Sequence, residues 1–292
     1  MSVVEKAIRK LQESRQATAD NPAPASAPPL AQERAHTAVE ALGPTVTIER
    51  GALRAAGLLP PEEDLPLAAR QYRKIKQPLI AQAIGRGVAR IPNGYLIMIS
   101  SAMEGEGKTF TAVNLALSMA LEKDCSVLLV DGDVAKPQLS HVFDRGETAG
   151  LLDALRDPSL DVQSLICPTD LPRLSFLAAG TGDSGEATEL LASARMAQLA
   201  AQLGEQDERR LVVFDSPPLL QTTESPALAR IAGQIVVVVR AESTPQPVLL
   251  DALKTLEGHA AISLILNQST RLATSAYYYY GYGKERAATS GS

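Results

Sequence analysis

The chain has 292 residues, 45% of them hydrophobic and 21% charged, with a net charge of −5. That balance suits a chain that buries a core, and the length suits one large domain with an extension or two smaller domains. No apolar run reaches the roughly 18 residues a membrane-spanning helix needs, the acidity argues against broad affinity for nucleic acid, and two cysteines, Cys125 and Cys167, make neither a disulfide framework nor a zinc site.

The opening MSVVEKAIRKLQESRQ carries charge every few positions and has no apolar h-region, so no secretion signal is expected. Together with the cysteine usage this points to a reducing, cytoplasmic setting. Val4, Ile8 and Leu11 share one helical face, which predicts an amphipathic helix over 2–16 within a first segment 1–18. That helix suits a partner protein better than a membrane surface, because it is short and its charge is mixed. Residues 19–65 are read as a Pro/Ala-rich linker, since NPAPASAPPL (21–30) breaks helices and favours an extended tether. No Phe, Trp or Tyr precedes Tyr72, so a separate core is not expected there. Within the linker, IERGALRAAGLLPP (48–61) can dock a short helix through Leu53, Leu58 and Leu59.

Over 66–270 helical and strand-like blocks alternate. PLAARQYRKIKQPLIAQAI (66–84) is predicted as a helix bent at Pro78. Strands are predicted at 95–100, 125–131, 174–179, 211–215, 234–240 and 261–267, short and β-branched as strands buried on both faces are. Helices are predicted between them at 109–123, 187–203 and 245–258. The fold class is therefore α/β, a mostly parallel sheet with helices on both faces. Ligands of such a sheet sit at the carboxyl ends of the strands. Residues 271–292 leave the pattern and are expected to form a flexible, disordered tail.

Three loops at strand ends carry the chemistry. AMEGEGKT (102–109) fits the phosphate loop G-x-x-x-x-G-K-[ST], with Ala102 at the first glycine position. Gly105 and Gly107 let the backbone curl so that successive N–H groups form an anion nest at a helix N-terminus. Lys108 can reach the β- and γ-phosphates, and the Thr109 hydroxyl can take one position on Mg2+. The second loop, VLLVDGDVAKP (127–137), brings Asp131 and Asp133 off a strand end. Either can hold Mg2+ or accept a proton, although Asp-Gly-Asp is also ordinary turn chemistry. In the third, LVVFDSPP (211–218), Asp215 ends an apolar strand where phosphate-loop ATPases place a metal ligand.

AMEGEGKT, LLVDGDVAKP and VVFDSPP, closed by a tyrosine cluster, resemble the bacterial tyrosine kinases, which share the P-loop NTPase scaffold of the Min/Par-type ATPases. The resemblance covers roughly residues 66–283 and makes 66–270 an ATP-binding kinase domain. It implies ATP and Mg2+ as cofactors, with Gly105, Glu106, Gly107, Lys108, Thr109 and Phe110 on the nucleotide and Thr109, Asp131 and Asp215 on the metal. It implies Lys108, Asp131 and Asp133 as the catalytic set. Asn267, at the last strand's end, stands where that scaffold contacts the base, and is equally a turn residue. The opening MSVVEKAIRKLQ and polar tether resemble the exosortase-linked subgroup of exopolysaccharide gene clusters. The implied function is autophosphorylation, in trans between subunits, that regulates exopolysaccharide chain length and export. The implied partners are further copies of the chain in a ring, a membrane-embedded polysaccharide chain-length regulator that recruits it to the inner membrane face, and a cognate tyrosine phosphatase. A Min/Par-type switch, which usually carries a lysine where Met103 stands, is the rival, as is an ATP-binding regulatory module without transfer.

Tyr277, Tyr278, Tyr279, Tyr280 and Tyr282 are the candidate phosphoacceptors, in a run that can alternatively form an aromatic edge strand. Arg70, Arg73 and Lys74 share a helical face that can meet an acidic surface or a phosphorylated tail. The resembling family carries Glu-x-x-Arg-x-x-Arg on this helix as a ring contact, whereas here Arg70 replaces the acid and Lys76 the last arginine. Each phosphotyrosine carries about −1.5 to −2 charges, so modified tails repel one another. Size-exclusion profiles of fully phosphorylated and phosphatase-treated chain should therefore differ, the modified form eluting later; superimposable profiles would dismiss the ring-loosening expectation.

Overall fold

The structure, a computed structural model, describes residues 44–269 except 183, 206, 208 and 260. The predicted helix 2–16, the linker up to 43 and the tyrosine-bearing segment 271–292 lie outside the described residues. Among the described residues, one sheet holds β1 Leu96–Ser101, β2 Ser126–Asp131, β3 Cys167–Pro168, β4 Leu174–Leu177, β5 Arg210–Asp215, β6 Gln234–Arg240 and β7 Ile262–Asn267. Their order is β3-β4-β2-β5-β1-β6-β7, and every pairing is parallel except the short β3–β4 contact.

Parallel neighbours need long crossovers, which here are largely helical. The helices are α1 Arg50–Ala55, α2 Leu65–Ile84, α3 Lys108–Ala120, α4 Gln138–Val142, α5 Leu151–Arg156, α6 Val162–Leu165, α7 Ser184–Ala192, α8 Ala194–Glu205, α9 Glu224–Ala229 and α10 Gln246–Thr255. The period-two alternation of strand side chains sorts the core into two layers. Leu96, Met98, Leu128, Val130, Val212 and Phe214 face one layer with α5, α7 and α8. Ile97, Ile99, Val127, Leu129, Leu211 and Val213 face the other with α1, α2 and α3. No helix among the described residues is long and apolar enough to cross a membrane, and both cysteines are free thiols.

The strand order sets β2, β5 and β1 side by side. Asp131 and Asp215 are register partners across β2 and β5, and Asp215 also pairs with Ile99 of β1. The three loops picked out by sequence therefore leave adjacent strand ends.

Several local expectations change. The helix expected over 187–203 is two helices, because the Ser193 hydroxyl donates to Leu190 O at 2.6 Å and accepts from Met196 N at 3.4 Å, the pattern of a helix cap. The strand expected to 179 ends at Leu177. β3 has two residues and left no periodic signal. β7 is not covered on both sides: Leu264 and Leu266 are 49% and 61% exposed at the sheet's edge. Helix α2 runs continuously through Pro78. Lys76 is buried on it, with Glu122 at 2.8 Å and Ser118 O as partners inside the same chain, whereas Arg70, Arg73 and Lys74 are exposed.

Residues 44–61 pack on this sheet. Val46 bridges Thr169, its N–H donating to Pro168 O at 2.8 Å, and Ile48 N–H donates to Asp170 Oδ1 at 2.9 Å. Leu53 and Leu58 are buried in the α2–α3 layer, and Asn114 of α3 donates to Leu58 O at 2.9 Å. Aliphatic side chains alone supply the docking area, so the lack of aromatics before Tyr72 does not prevent it. Leu53→Ala should cost about 3 kcal/mol in equilibrium denaturant unfolding, whereas Leu67→Ala, at a position 41% exposed, should stay within about 0.5 kcal/mol.

Candidate functional site

The loop between β1 and α3 turns on two glycines. Gly105 and Gly107 have φ of +82° and +93°, a region that side-chain-bearing residues rarely adopt. Gly107 also caps α3, and a Cβ there would overlap Asn267 Nδ2. The next two residues, Lys108 and Thr109, thus open a helix at its positive end, with the loop's N–H groups set to meet an anion.

Lys108 Nζ donates to Asp133 Oδ2 at 2.8 Å, and both side chains are largely buried. Burial alone would push Lys108 down, but the carboxylates of Asp215, Asp133 and Asp131 outweigh it and hold the ammonium above its usual range. Asp131 is fully buried and pushed up to about 6 by that burial, with the Ser140 hydroxyl and N–H pulling it back. Both Ser140 groups donate to Asp131 Oδ2, at 2.7 and 2.8 Å, whereas Oδ1 completes no hydrogen bond of good geometry, although the Asp133 N–H also pulls on this carboxylate. Asp215 is pushed up to about 7, again chiefly by burial, against the pull of Lys108. Neither of its carboxylate oxygens completes a hydrogen bond of good geometry, although the Thr109 hydroxyl lies alongside.

Three buried carboxylate oxygens that complete no hydrogen bond of good geometry are costly unless something cationic meets them. Hard oxygen donors of this kind fit Mg2+, which prefers oxygen and takes few protein ligands when it sits on phosphates and water. No group of three or more His, Cys, Asp or Glu side chains among the described residues could hold an ion by itself. A divalent ion shared with a phosphate needs only one or two. Thr109, Asp131 and Asp215 are the residues that would hold it.

The loops border a cleft of about 640 Å3, a size that admits a nucleotide. Lys108, Thr109, Phe110 and Asp133 line it, as do Gln221 beyond β5 and Ala56, Gly57 and Leu58 from the segment after α1. An ion pair at 2.8 Å between Lys136 and Glu104 links the second loop to the first at its rim. The side chains of Glu106 and Asn267 are tied within the protein. Glu106 is 3% exposed and its carboxylate accepts from Met103 N–H at 2.8 Å. Asn267 Nδ2 donates to Glu106 O at 3.0 Å. Tyr277, Tyr278, Tyr279, Tyr280 and Tyr282 lie outside the described residues.

Sequence reasoning missed Ser140, which holds Asp131 from nine positions away on α4, and the cleft wall at residues 56–58. No spacing rule marks the serine. The leucines of 48–61 were the available signal for the wall.

Residues 94–260 match the family of AAA domains. Tyrosine-protein kinase YwqD of Bacillus subtilis is 29% identical over 234 residues, covering 80% of this chain and 94% of its own. Putative tyrosine-protein kinase CapB of Staphylococcus aureus is 29% identical over 65% of this chain and 81% of its own. Putative tyrosine-protein kinase EpsB of Ralstonia nicotianae is 31% identical over 64% of this chain, which spans only 24% of that relative. Among solved structures, the VpsO kinase domain superposes with a TM-score of 0.58 at 26% identity, covering 72% of this chain and all of that domain.

The cleft geometry makes Gly107→Ala the harsher of two loop substitutions, since Gly105→Ala strains the backbone but meets nothing within 4 Å. Titration with a fluorescent ATP analogue should find Gly107→Ala weakened at least about tenfold and more than Gly105→Ala, from strain and overlap combined.

Proposed function

The chain belongs to the family of AAA domains, and from that premise we propose that it is an ATP-dependent protein-tyrosine kinase of the bacterial type. Its acceptors are Tyr277, Tyr278, Tyr279, Tyr280 and Tyr282 of another copy of the chain, phosphorylated in trans. The observation that carries this reading is one lysine, Lys108, set among Asp131, Asp133 and Asp215 at adjoining strand ends beneath a cleft. The kinase names of relatives aligned over most of their own length support it.

The loop N–H groups and Lys108 would hold the β- and γ-phosphates, and Thr109, Asp131 and Asp215 would hold Mg2+. Bound Mg2+ neutralises charge that builds on the phosphates during transfer. Asp131 or Asp133 would accept the phenolic proton as the tyrosine oxygen attacks the γ-phosphorus in line, the bond to the β,γ-bridging oxygen breaks and ADP leaves. Most of the rate comes from holding the reactants in position, with little covalent work for the protein.

The biological reading is regulation of exopolysaccharide chain length and export. It involves a homo-oligomer, a membrane-embedded chain-length regulator that draws the kinase to the inner membrane face, and a cognate phosphatase. The exposed Arg70, Arg73 and Lys74 offer the oligomer a basic face. The exosortase-linked subgroup rests on the opening residues and the tether alone.

Incubation with labelled ATP and Mg2+, followed by mass-spectrometric mapping, should find phosphotyrosine at 277–282. Lys108→Ala should lower it at least about a hundredfold. Phosphate release without tyrosine label would favour a Min/Par-type switch, and ATP binding with neither would favour a regulatory module.

A further inference from the structure

Glu106 poses an electrostatic problem. It stands in the middle of a loop whose backbone is arranged to receive phosphate, and it is an acid 3% exposed. Facing the cleft, its carboxylate would repel the very anion the loop binds. It is instead turned away and tied on both oxygens. Oε2 accepts from Met103 N–H at 2.8 Å, inside the loop itself. Oε1 accepts from the hydroxyl of Thr244, in the turn between β6 and α10.

Thr244 is itself anchored. Its hydroxyl oxygen accepts from Arg240 N–H at 3.1 Å, and its own N–H donates to Arg240 O at 3.1 Å. The end of β7 closes the same side: Asn267 Nδ2 donates to Glu106 O at 3.0 Å, and Ala241 N–H donates to Asn267 O at 2.8 Å. One residue of the phosphate loop is therefore gripped through side chain and main chain by two segments outside the three strand-end loops.

We propose that Thr244 is a positioning residue for nucleotide binding: by holding the Glu106 carboxylate away from the cleft, it keeps the phosphate loop in its anion-receiving shape. The idea rests on the ATP-binding reading of the cleft but concerns a residue that does not line it. Hydrogen bonds to charged groups are the stronger class, so losing this one should be felt at the loop. Thr244→Val keeps the volume and removes the hydroxyl, whereas Thr244→Ser keeps the hydroxyl and removes a methyl.

Two measurements on the full chain test it. Hydrogen exchange in nucleotide-free protein should speed up at least threefold at residues 103–107 in Thr244→Val and return toward wild type in Thr244→Ser. Calorimetric titration with ATP and Mg2+ should find the dissociation constant raised about tenfold in Thr244→Val and within about twofold of wild type in Thr244→Ser, with both variants retaining the wild-type thermal unfolding midpoint to within a few degrees. Unchanged exchange in Thr244→Val, or a serine variant no better than the valine one, would overturn the positioning role. A wild-type chain that binds no ATP would overturn the kinase reading instead, and the exchange result would still decide whether Thr244 holds the loop.

Discussion

One ammonium faces three buried carboxylates, and the arrangement of the upper sheet follows from that imbalance. Lys108 pairs with Asp133, yet Asp131 and Asp215 sit within its field with oxygens that complete no hydrogen bond of good geometry. Burial pushes both acids upward, to about 6 and about 7. A fold that keeps such groups at its core accepts a standing cost, because uncompensated buried carboxyls lower stability. The cost is intelligible where a cation and a polyanion arrive together and complete the set. A structural ion-pair network would instead close its own hydrogen bonds.

Sheet order is what makes the imbalance possible. β5 lies between β2 and β1, so the two strands ending in aspartate are neighbours and the phosphate loop leaves the next strand along. Shifting either register by one residue would turn Asp131 or Asp215 to the opposite face, among the aliphatic side chains of a helix layer. The alternating core residues of these strands therefore hold the chemistry in place as well as the fold. Ile97, Ile99, Leu129 and Val213 on one face, with Met98, Val130 and Phe214 on the other, fix which way each terminal carboxylate points.

The central strands and the helix after the phosphate loop were legible because parallel, doubly buried strands are written as short apolar runs, and Gly105, Gly107, Lys108 and Thr109 have a spacing their chemistry dictates. Asp131, Asp133 and Asp215 were legible for the same reason, at strand ends. What stayed hidden depends on tertiary partners. Ser193 looks like any helical serine until its hydroxyl is seen to cap α8. Leu264 and Leu266 belong to a strand that looks buried, and only its place at the sheet's edge exposes them. A motif gives position without side-chain direction, so the partners of the Glu106 and Asn267 side chains were not legible. Glu106 bonds to Met103 inside its own loop, but its bonds to Thr244 and to Asn267 join segments far apart in the chain.

The cleft also has a wall that none of the three loops supplies. Ala56, Gly57 and Leu58 border it beside Phe110, and Leu58 is fastened through its carbonyl to Asn114. Asn114 Nδ2 donates as well to Phe110 O at 2.7 Å, so a single amide ties the wall to the first turns of the helix that begins with Lys108. That wall rests on a few aliphatic contacts and the short bridge at Val46, whereas the strand ends rest on two full layers of core. Local stability follows the density of buried contacts, so the wall is expected to open at lower free energy than the loops it faces. A ligand filling the cleft touches both, and it favours the closed wall by whatever affinity it gains from that wall.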